Sequence, residues 1–528
     1  MKNEVNRAFM AKKKIFTVLV AGLMISAQAL AVSTKDVCGQ FNGMLNIGSQ
    51  AYPNKSVYLL PGTADNSLTF VLPDFMYNAG KLGNIVLPNI PMDANGQLTL
   101  ENATLYLDSI QERAIITVLN NLDDGAGHIY NSIVSADAAT VVLSIVAPSV
   151  PQPIFVLFQG AAIRTKNYAL PNGGFEGTWT NYEPQGWHSF TTAVGEQAGY
   201  VKDDYFKFVQ SNDVRPGSVG SHSALVSSSI LLGVKANGNC TNGQINAGST
   251  NAAEASKNYN FSDPANTGFN TPFNGRPDSI VFWAKYMPAD KNPANEVNKA
   301  RMNTVITTNA RYQDPEATDY SAVKIATATI NYAATATMGW QRISVPFEYT
   351  ANDGEPAYIL TTFTTNQVPG GGSSYSVGSI FSSVDYVDSV YVDDVELIYN
   401  KNLDAFHVGE AALSFDKSIA TVESNYCDSC TDYIAAAFGK SAQTFIGFDA
   451  THKCIHVYVI ADDFAQSGAY QLYRIEFADS QTEDLDPIDQ AIEQVVFDNT
   501  KAQKILLNGQ LFIRFGDAWF NAAGVRVQ

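Results

Sequence analysis

Strand-length runs in which apolar and polar side chains alternate recur along this chain, each closed off by Gly, Asn, Asp or Pro. Residues 67–72, 104–107, 114–118 and 140–145 are of this kind, with turn signals at Ala94-Asn95-Gly96 and Asp123-Asp124-Gly125 between them. A period of two sends successive side chains to opposite faces of a strand, and a helix does not satisfy it. The pattern predicts an all-β protein. At ~150 residues per domain, 528 residues predict several domains in a row rather than one.

The first residues have the layout of an export signal. Lys12, Lys13 and Lys14 precede an apolar run over residues 15–25, and Ala29-Leu30-Ala31 supplies a cleavage site before Val32. The run is shorter than the ~20 residues that span a bilayer, and Met10 is an alternative start. Cys38 sits among Thr34, Lys35 and Asp36, a setting unsuited to lipidation. The reading is an exported, soluble protein of the periplasm, cell surface or medium, with no transmembrane segment. The whole chain carries a net charge of −18. Loss of residues 1–31 removes five Lys/Arg and one Glu and brings the net charge to −22. Such a chain repels phosphate backbones, which argues against nucleic acid and anionic membrane as partners.

Four segments follow the leader. Residues 38–162 contain closely spaced strands that suggest a closed barrel or a small sandwich. The stretches Gly39-Gln40-Phe41-Asn42-Gly43 and Gly83-Asn84-Ile85-Val86-Leu87 resemble the calycin-like β-barrel domains of secreted bacterial proteins. Such a barrel either holds a small apolar ligand or is a filled spacer, and the spacer is favoured. Residues 163–400 carry Asn172-Gly173-Gly174-Phe175-Glu176, Glu183-Pro184-Gln185-Gly186-Trp187, Ser221-His222-Ser223, Phe282-Trp283-Ala284-Lys285, Gly339-Trp340-Gln341 and Val392-Asp393-Asp394-Val395. In this order the motifs resemble the carbohydrate-metabolism domain family, jelly-roll relatives of carbohydrate-binding modules. The insert over 237–271, rich in Asn, Gly and Ala, reads as a surface loop. Residues 401–480 read as a small immunoglobulin-like β-sandwich, without the Cys-Trp-Cys spacing of true immunoglobulin domains. An acidic linker over 481–503 follows, with a short helix that Asp486-Pro487 begins. The tail over 504–528 has three short strand-like runs. Its residues 520–527 resemble C-terminal tails read by an outer-membrane sorting system, which would then be a partner.

The jelly-roll resemblance implies carbohydrate as ligand. The alternatives are a glycan-cleaving hydrolase with unassigned carboxylates and an adhesive surface protein without a sugar site. It also implies a structural calcium ion, at Glu176 and Asp394 with Asp393 beside them. Calcium takes six to eight oxygens, of which these carboxylates supply a part. Sugar rings stack on exposed aromatic rings beside polar groups. In the strand around residue 282, Ile280, Phe282 and Ala284 face a core, while Trp283 and Lys285 face the other way. Trp283 and Lys285 are therefore candidate ligand contacts, and Trp179 and Tyr182, in a loop, a second platform. Trp187 and Trp340 follow glycines at strand starts and read as core anchors.

Other motifs are structural on inspection. Gly439-Lys440-Ser441 lacks the first glycine of a phosphate loop, because Ile434 stands there. No Gly-x-Ser-x-Gly elbow is present, and His188 and His222 read as loop residues rather than bases. Cys427, Cys430 and Cys454 read as one disulfide plus a leftover thiol. A soft-metal site is the alternative, in which the Cys427 and Cys430 pair joins His452, Cys454 and His456, which share one face of a strand. Cys38 and Cys240 are lone.

Overall fold

The computed structural model describes residues 32–481 except 79, 108, 111, 125, 151, 165, 202–207, 232–233, 290–298, 368–386, 409, 417, 428–432, 438, 440 and 450–451, together with strands at 503–507, 510–515 and 518–521. The leader, Cys430 and the helix after Asp486 lie outside the described residues, as does most of 520–527.

The first body contains β1 (Gly39–Ile47), β2 (Gln50–Pro61), β3 (Ser67–Tyr77), β4 (Gly80–Pro91), β5 (Leu100–Leu107), β6 (Glu112–Val118), β7 (Ala138–Val146) and β8 (Ile154–Ala162). They form one antiparallel sheet in the order β4-β3-β2-β1-β8-β7-β6-β5, with a short strand, Ile133–Val134, beside β7. The two ends of that path come together where Ser109 N–H donates to the Leu82 carbonyl at 3.4 Å, giving a nearly closed barrel. Alternate residues of every strand, among them Phe41, Leu59, Phe70, Leu87, Ile116, Leu143 and Phe158, fill its interior as one cluster.

The second body is a sandwich of two five-stranded sheets. Its strands are β9 (Phe208–Ser211), β10 (Ser223–Ser227), β11 (Asn239–Thr241), β12 (Gln244–Ala247), β13 (Asn258–Ser262), β14 (Ser279–Met287), β15 (Ala300–Thr307), β16 (Tyr312–Asp314), β17 (Lys324–Tyr332), β18 (Gln341–Pro346), β19 (Glu348–Tyr349), β20 (Tyr358–Thr364) and β21 (Ser389–Ile398). The first sheet runs β9-β10-β21-β14-β18 and the second β11-β20-β15-β17-β19. Phe282, Tyr286, Met302, Phe363 and Val392 meet between them, with Trp187 and Phe175 closing one end. Trp187 is fully buried, and its indole N–H is shared between the Pro171 and Asn172 carbonyls at 3.0 and 3.1 Å.

The insert over 237–271 is not a surface loop. It supplies β11 as an edge strand of the second sheet, and its β12 and β13 join β16 in a three-stranded sheet. That small sheet lies on the outer face of the second, where Tyr312 packs on Val305 and Leu360. The Asn- and Thr-rich composition that reads as loop here satisfies buried backbone. Asn242 donates to Thr271 Oγ1 and the Ile359 carbonyl and accepts from Thr361 N–H at 2.6 Å.

The third body has β22 (Leu403–Val408), β23 (Ala411–Ala412), β24 (Ile419–Val422), β25 (Tyr433–Ala437), β26 (Gln443–Asp449), β27 (Cys454–Ile460) and β28 (Tyr470–Phe477). Its sheets, β23-β22-β25 and β24-β28-β27-β26, enclose Phe406, Ile455, Val457, Val459 and Ile475. The other face of β27 packs on the barrel. Tyr58, Leu60, Val71 and Val86 point outward from β2, β3 and β4 and form a second core with Phe445, Tyr458, Ile460, Phe464 and Leu472. These barrel strands are apolar on both faces over Val57-Tyr58-Leu59-Leu60, Phe70-Val71-Leu72 and Ile85-Val86-Leu87, as strands covered on both sides are. The tail contributes β29 (Gln503–Leu507), β30 (Gln510–Phe515) and β31 (Ala518–Asn521), paired antiparallel. No helix among the described residues is long and apolar enough to cross a membrane.

Candidate functional site

The outer face of the first sandwich sheet gathers aromatic and charged side chains from three strands and one loop. Alternation in β14 sends Ile280, Phe282, Ala284 and Tyr286 into the core and leaves Trp283 and Lys285 half-buried on the other side. Across the ladder Lys285 stands opposite Tyr391 of β21, and Trp283 stands opposite Arg342 of β18. Lys285 Nζ lies 4.5 Å from the centroid of the Tyr391 ring. Trp340 meets the same tyrosine edge-on at 6.1 Å. It is half-buried on this face and not a core anchor, because β18 begins only after it, at Gln341.

The loop between β9 and β10 covers one end of the face. Asp213 binds Lys285 and accepts from the Trp340 indole N–H at 3.1 Å. Burial pushes the Asp213 carboxyl up, but the bonds from Lys285 and Trp340 outweigh it and leave the group below its usual range. Arg215 lies over the Trp283 ring at 5.3 Å and donates from Nε to Asp394 at 2.6 Å. Its backbone N–H donates to Asp393 at 3.0 Å. The ladder shifts register between Val281 and Trp283, and Asp394 sits at φ 45°, so two successive acidic residues turn toward this loop.

The residues proposed for calcium are engaged otherwise. Glu176 accepts from the backbone N–H groups of Ser221 and His222, both at 2.8 Å, and from the Ser221 hydroxyl. Asp393 is fully buried, takes N–H groups from Arg215 and Asp394, and is pushed up to about 6, chiefly by burial. Asp394 holds a guanidinium. Together these contacts form an arginine clamp that pins the loop. Trp179 is not a free platform either: its ring packs on Phe208 at 5.1 Å and its N–H donates to the Phe175 carbonyl. Tyr182 is exposed in its loop at φ 66°. His222 bonds Asn212, and His188 stands beside the buried Glu183, which also takes Ser189 and Thr192.

Cys427 is disulfide-bonded, whereas Cys454, Cys38 and Cys240 are free thiols. Of that cluster, Cys454 is the thiol left outside the disulfide. It lies on the buried face of β27 against the barrel, with His456 on the same face. Asp213, Arg215, Trp340 and Tyr391 escaped sequence reasoning. Tyr391 had a signal, since it lies two residues before Asp393 on the same period-two face.

No family model matches the chain, and no curated protein matches it. Among solved structures the chain is similar to the carbohydrate-binding module TmCBM61 in complex with beta-1,4-galactotriose. The identity is 11% and the TM-score 0.20, over 44% of this chain and 99% of that one. A score that low argues for neither site nor ligand.

Proposed function

We propose that the sandwich binds carbohydrate on the outer face of its first sheet, within a protein exported to the cell envelope or beyond it. The observation that carries this reading is the grouping of Trp283, Trp340 and Tyr391, all half-buried on one face, among Lys285, Arg215 and Asp213. Indole and phenol rings offer apolar surface to the C–H face of a sugar, while the charged groups around them meet hydroxyls. The loop over 212–222 is pinned by Glu176, Asp393 and Asp394, so the polar groups are held in place before a ligand arrives. The barrel and the third body act as scaffold for this module.

The test pairs a glycan array with a reducing-end assay on the same polysaccharides. Binding without new reducing ends is the expected outcome. Release of reducing ends marks a hydrolase instead, and silence in both marks a structural protein. On a glycan that binds, Trp283→Ala and Trp340→Ala each weaken affinity about tenfold, corresponding to ~1.4 kcal/mol. Unchanged affinity in folded variants removes this face as the site.

A further inference from the structure

Where β26 ends and β27 begins, three side chains of different chemistry converge under the surface of the third body. Asp449 is the last residue of β26 and pairs with Cys454, the first of β27. His456 follows two residues on, on the same face. All three are buried, and one ligand atom of each lies within 4.8 Å of the others. We propose that Asp449, Cys454 and His456 bind one divalent ion of the zinc class, leaving a fourth position to solvent on the side where His452 reaches the surface.

The spacing fits that ion. Bonds of about 2.3 Å to sulfur and 2.0–2.1 Å to nitrogen, at the tetrahedral angle, separate the two ligand atoms by roughly 3.5 Å. Cys454 Sγ and His456 Nε2 stand 3.6 Å apart. An Asp449 carboxylate oxygen lies within 4.8 Å of both, and the third bond draws it to about 2.0–2.2 Å from the ion. Thiolate, imidazole and carboxylate together are a donor set that zinc accepts and calcium or magnesium does not.

The surroundings are those of a metal site's outer shell. His456 Nδ1 is 3.5 Å from the Tyr458 hydroxyl, which is 3.1 Å from Thr69 Oγ1 on the barrel, so the second ring nitrogen has a partner that sets its orientation. Asp449 is held by the backbone N–H and ring Nδ1 of His452 at 3.1 and 2.8 Å. Independently, Arg474 is almost fully buried beside the cluster, and while its Nη2 pairs with Glu476, its Nε has no hydrogen-bond partner. A thiolate is the acceptor such a cation calls for, and a neutral thiol is a poor one. Charges balance as well. The ion with one thiolate, one carboxylate and a neutral imidazole sums to zero, and Arg474 is offset by Glu476 at 3.3 Å. On binding, the Cys454 S–H bond breaks, the sulfur electron pair forms the metal bond, and the proton leaves to solvent.

The experiment uses the full chain, stripped with a chelator and titrated with cobalt(II) or zinc(II) salt alone. One equivalent of cobalt is expected to give tetrahedral visible bands and a thiolate charge-transfer band, and zinc is expected to displace it. Cys454→Ser abolishes the charge-transfer band, whereas Cys38→Ser and Cys240→Ser keep it. Tyr458→Phe keeps the band and weakens zinc binding about tenfold, as loss of an outer-shell partner does. Should Cys454→Ser fail to fold, Asp449→Asn decides, with weaker affinity and the charge-transfer band retained. Failure to bind an equivalent of cobalt overturns the proposal, as does a band that survives Cys454→Ser. Either result leaves the cluster as a buried thiol–imidazole hydrogen bond.

Discussion

Asp393 makes the sandwich less stable as pH rises, and Asp393→Asn removes that dependence. Its carboxyl is fully buried under the arginine clamp and is pushed from 3.8 up to about 6, mainly by burial, with the Arg215 and Asp394 N–H groups opposing. Between those two values the folded chain holds a proton that the unfolded chain has released. The contribution is therefore fully present below about pH 4 and lost as pH rises through about 6. At 1.36 kcal/mol per unit, the loss is about 3 kcal/mol. Tryptophan fluorescence isolates the effect, because Trp179, Trp187, Trp283 and Trp340 all belong to the sandwich and only Trp519 lies elsewhere. Urea midpoints followed by that signal from pH 4 to 7 should fall more steeply in the wild type than in Asp393→Asn. Parallel slopes would show that Asp393 ionises normally and that the burial argument is wrong.

Three further outcomes follow from contacts described above. Chelator leaves the tryptophan-monitored transition of the sandwich unchanged, since Glu176, Asp393 and Asp394 are matched by N–H donors; a lowered midpoint restores calcium there. Trp187→Phe loses the N–H shared by the Pro171 and Asn172 carbonyls and lowers sandwich stability by ~1–3 kcal/mol in urea melts, with no change expected only if water replaces the donor. Val86→Asp places a carboxylate between barrel and third body at a cost of ~3–5 kcal/mol, and limited proteolysis should then cut the third body while sparing the barrel. An unaltered digestion pattern would mean that this seam does not hold the third body.

Much of the strand structure was legible because alternation is a local property. Residues 67–72, 104–107, 114–118 and 140–145 all fall in strands. The β13 and β11 region was not, because Asn and Thr were read as loop formers when they serve as buried hydrogen-bonding groups. The candidate site was half legible. The facing of Trp283 and Lys285 follows from one strand, but Asp213, Trp340 and Tyr391 arrive from separate stretches of the chain, and no spacing announces that. Trp340 was misplaced because a glycine before a tryptophan says nothing about which side of the sheet the ring takes. The continuous apolar runs over 57–60 and 85–87 are the local trace of strands covered on both faces, a trace the alternation pattern passed over.

The seam between the barrel and the third body also dictates an order of events for a chain delivered from its N terminus. The barrel strands emerge first, yet Tyr58, Leu60, Val71 and Val86 find their partners only when residues 445–472 arrive, after the whole sandwich. Until then the newborn barrel displays an oily stripe to its neighbours, in the concentrated setting where such stripes nucleate aggregates. The sandwich does not lie between these partners as a spacer. Its entry at Tyr168 and exit at Tyr399 touch each other, and Tyr168 N–H donates to Gln466 of the third body. The sandwich is thus a loop of more than two hundred residues tied off at its base. Its folding draws the late strands back toward the waiting stripe, and a slow sandwich would make a sticky barrel.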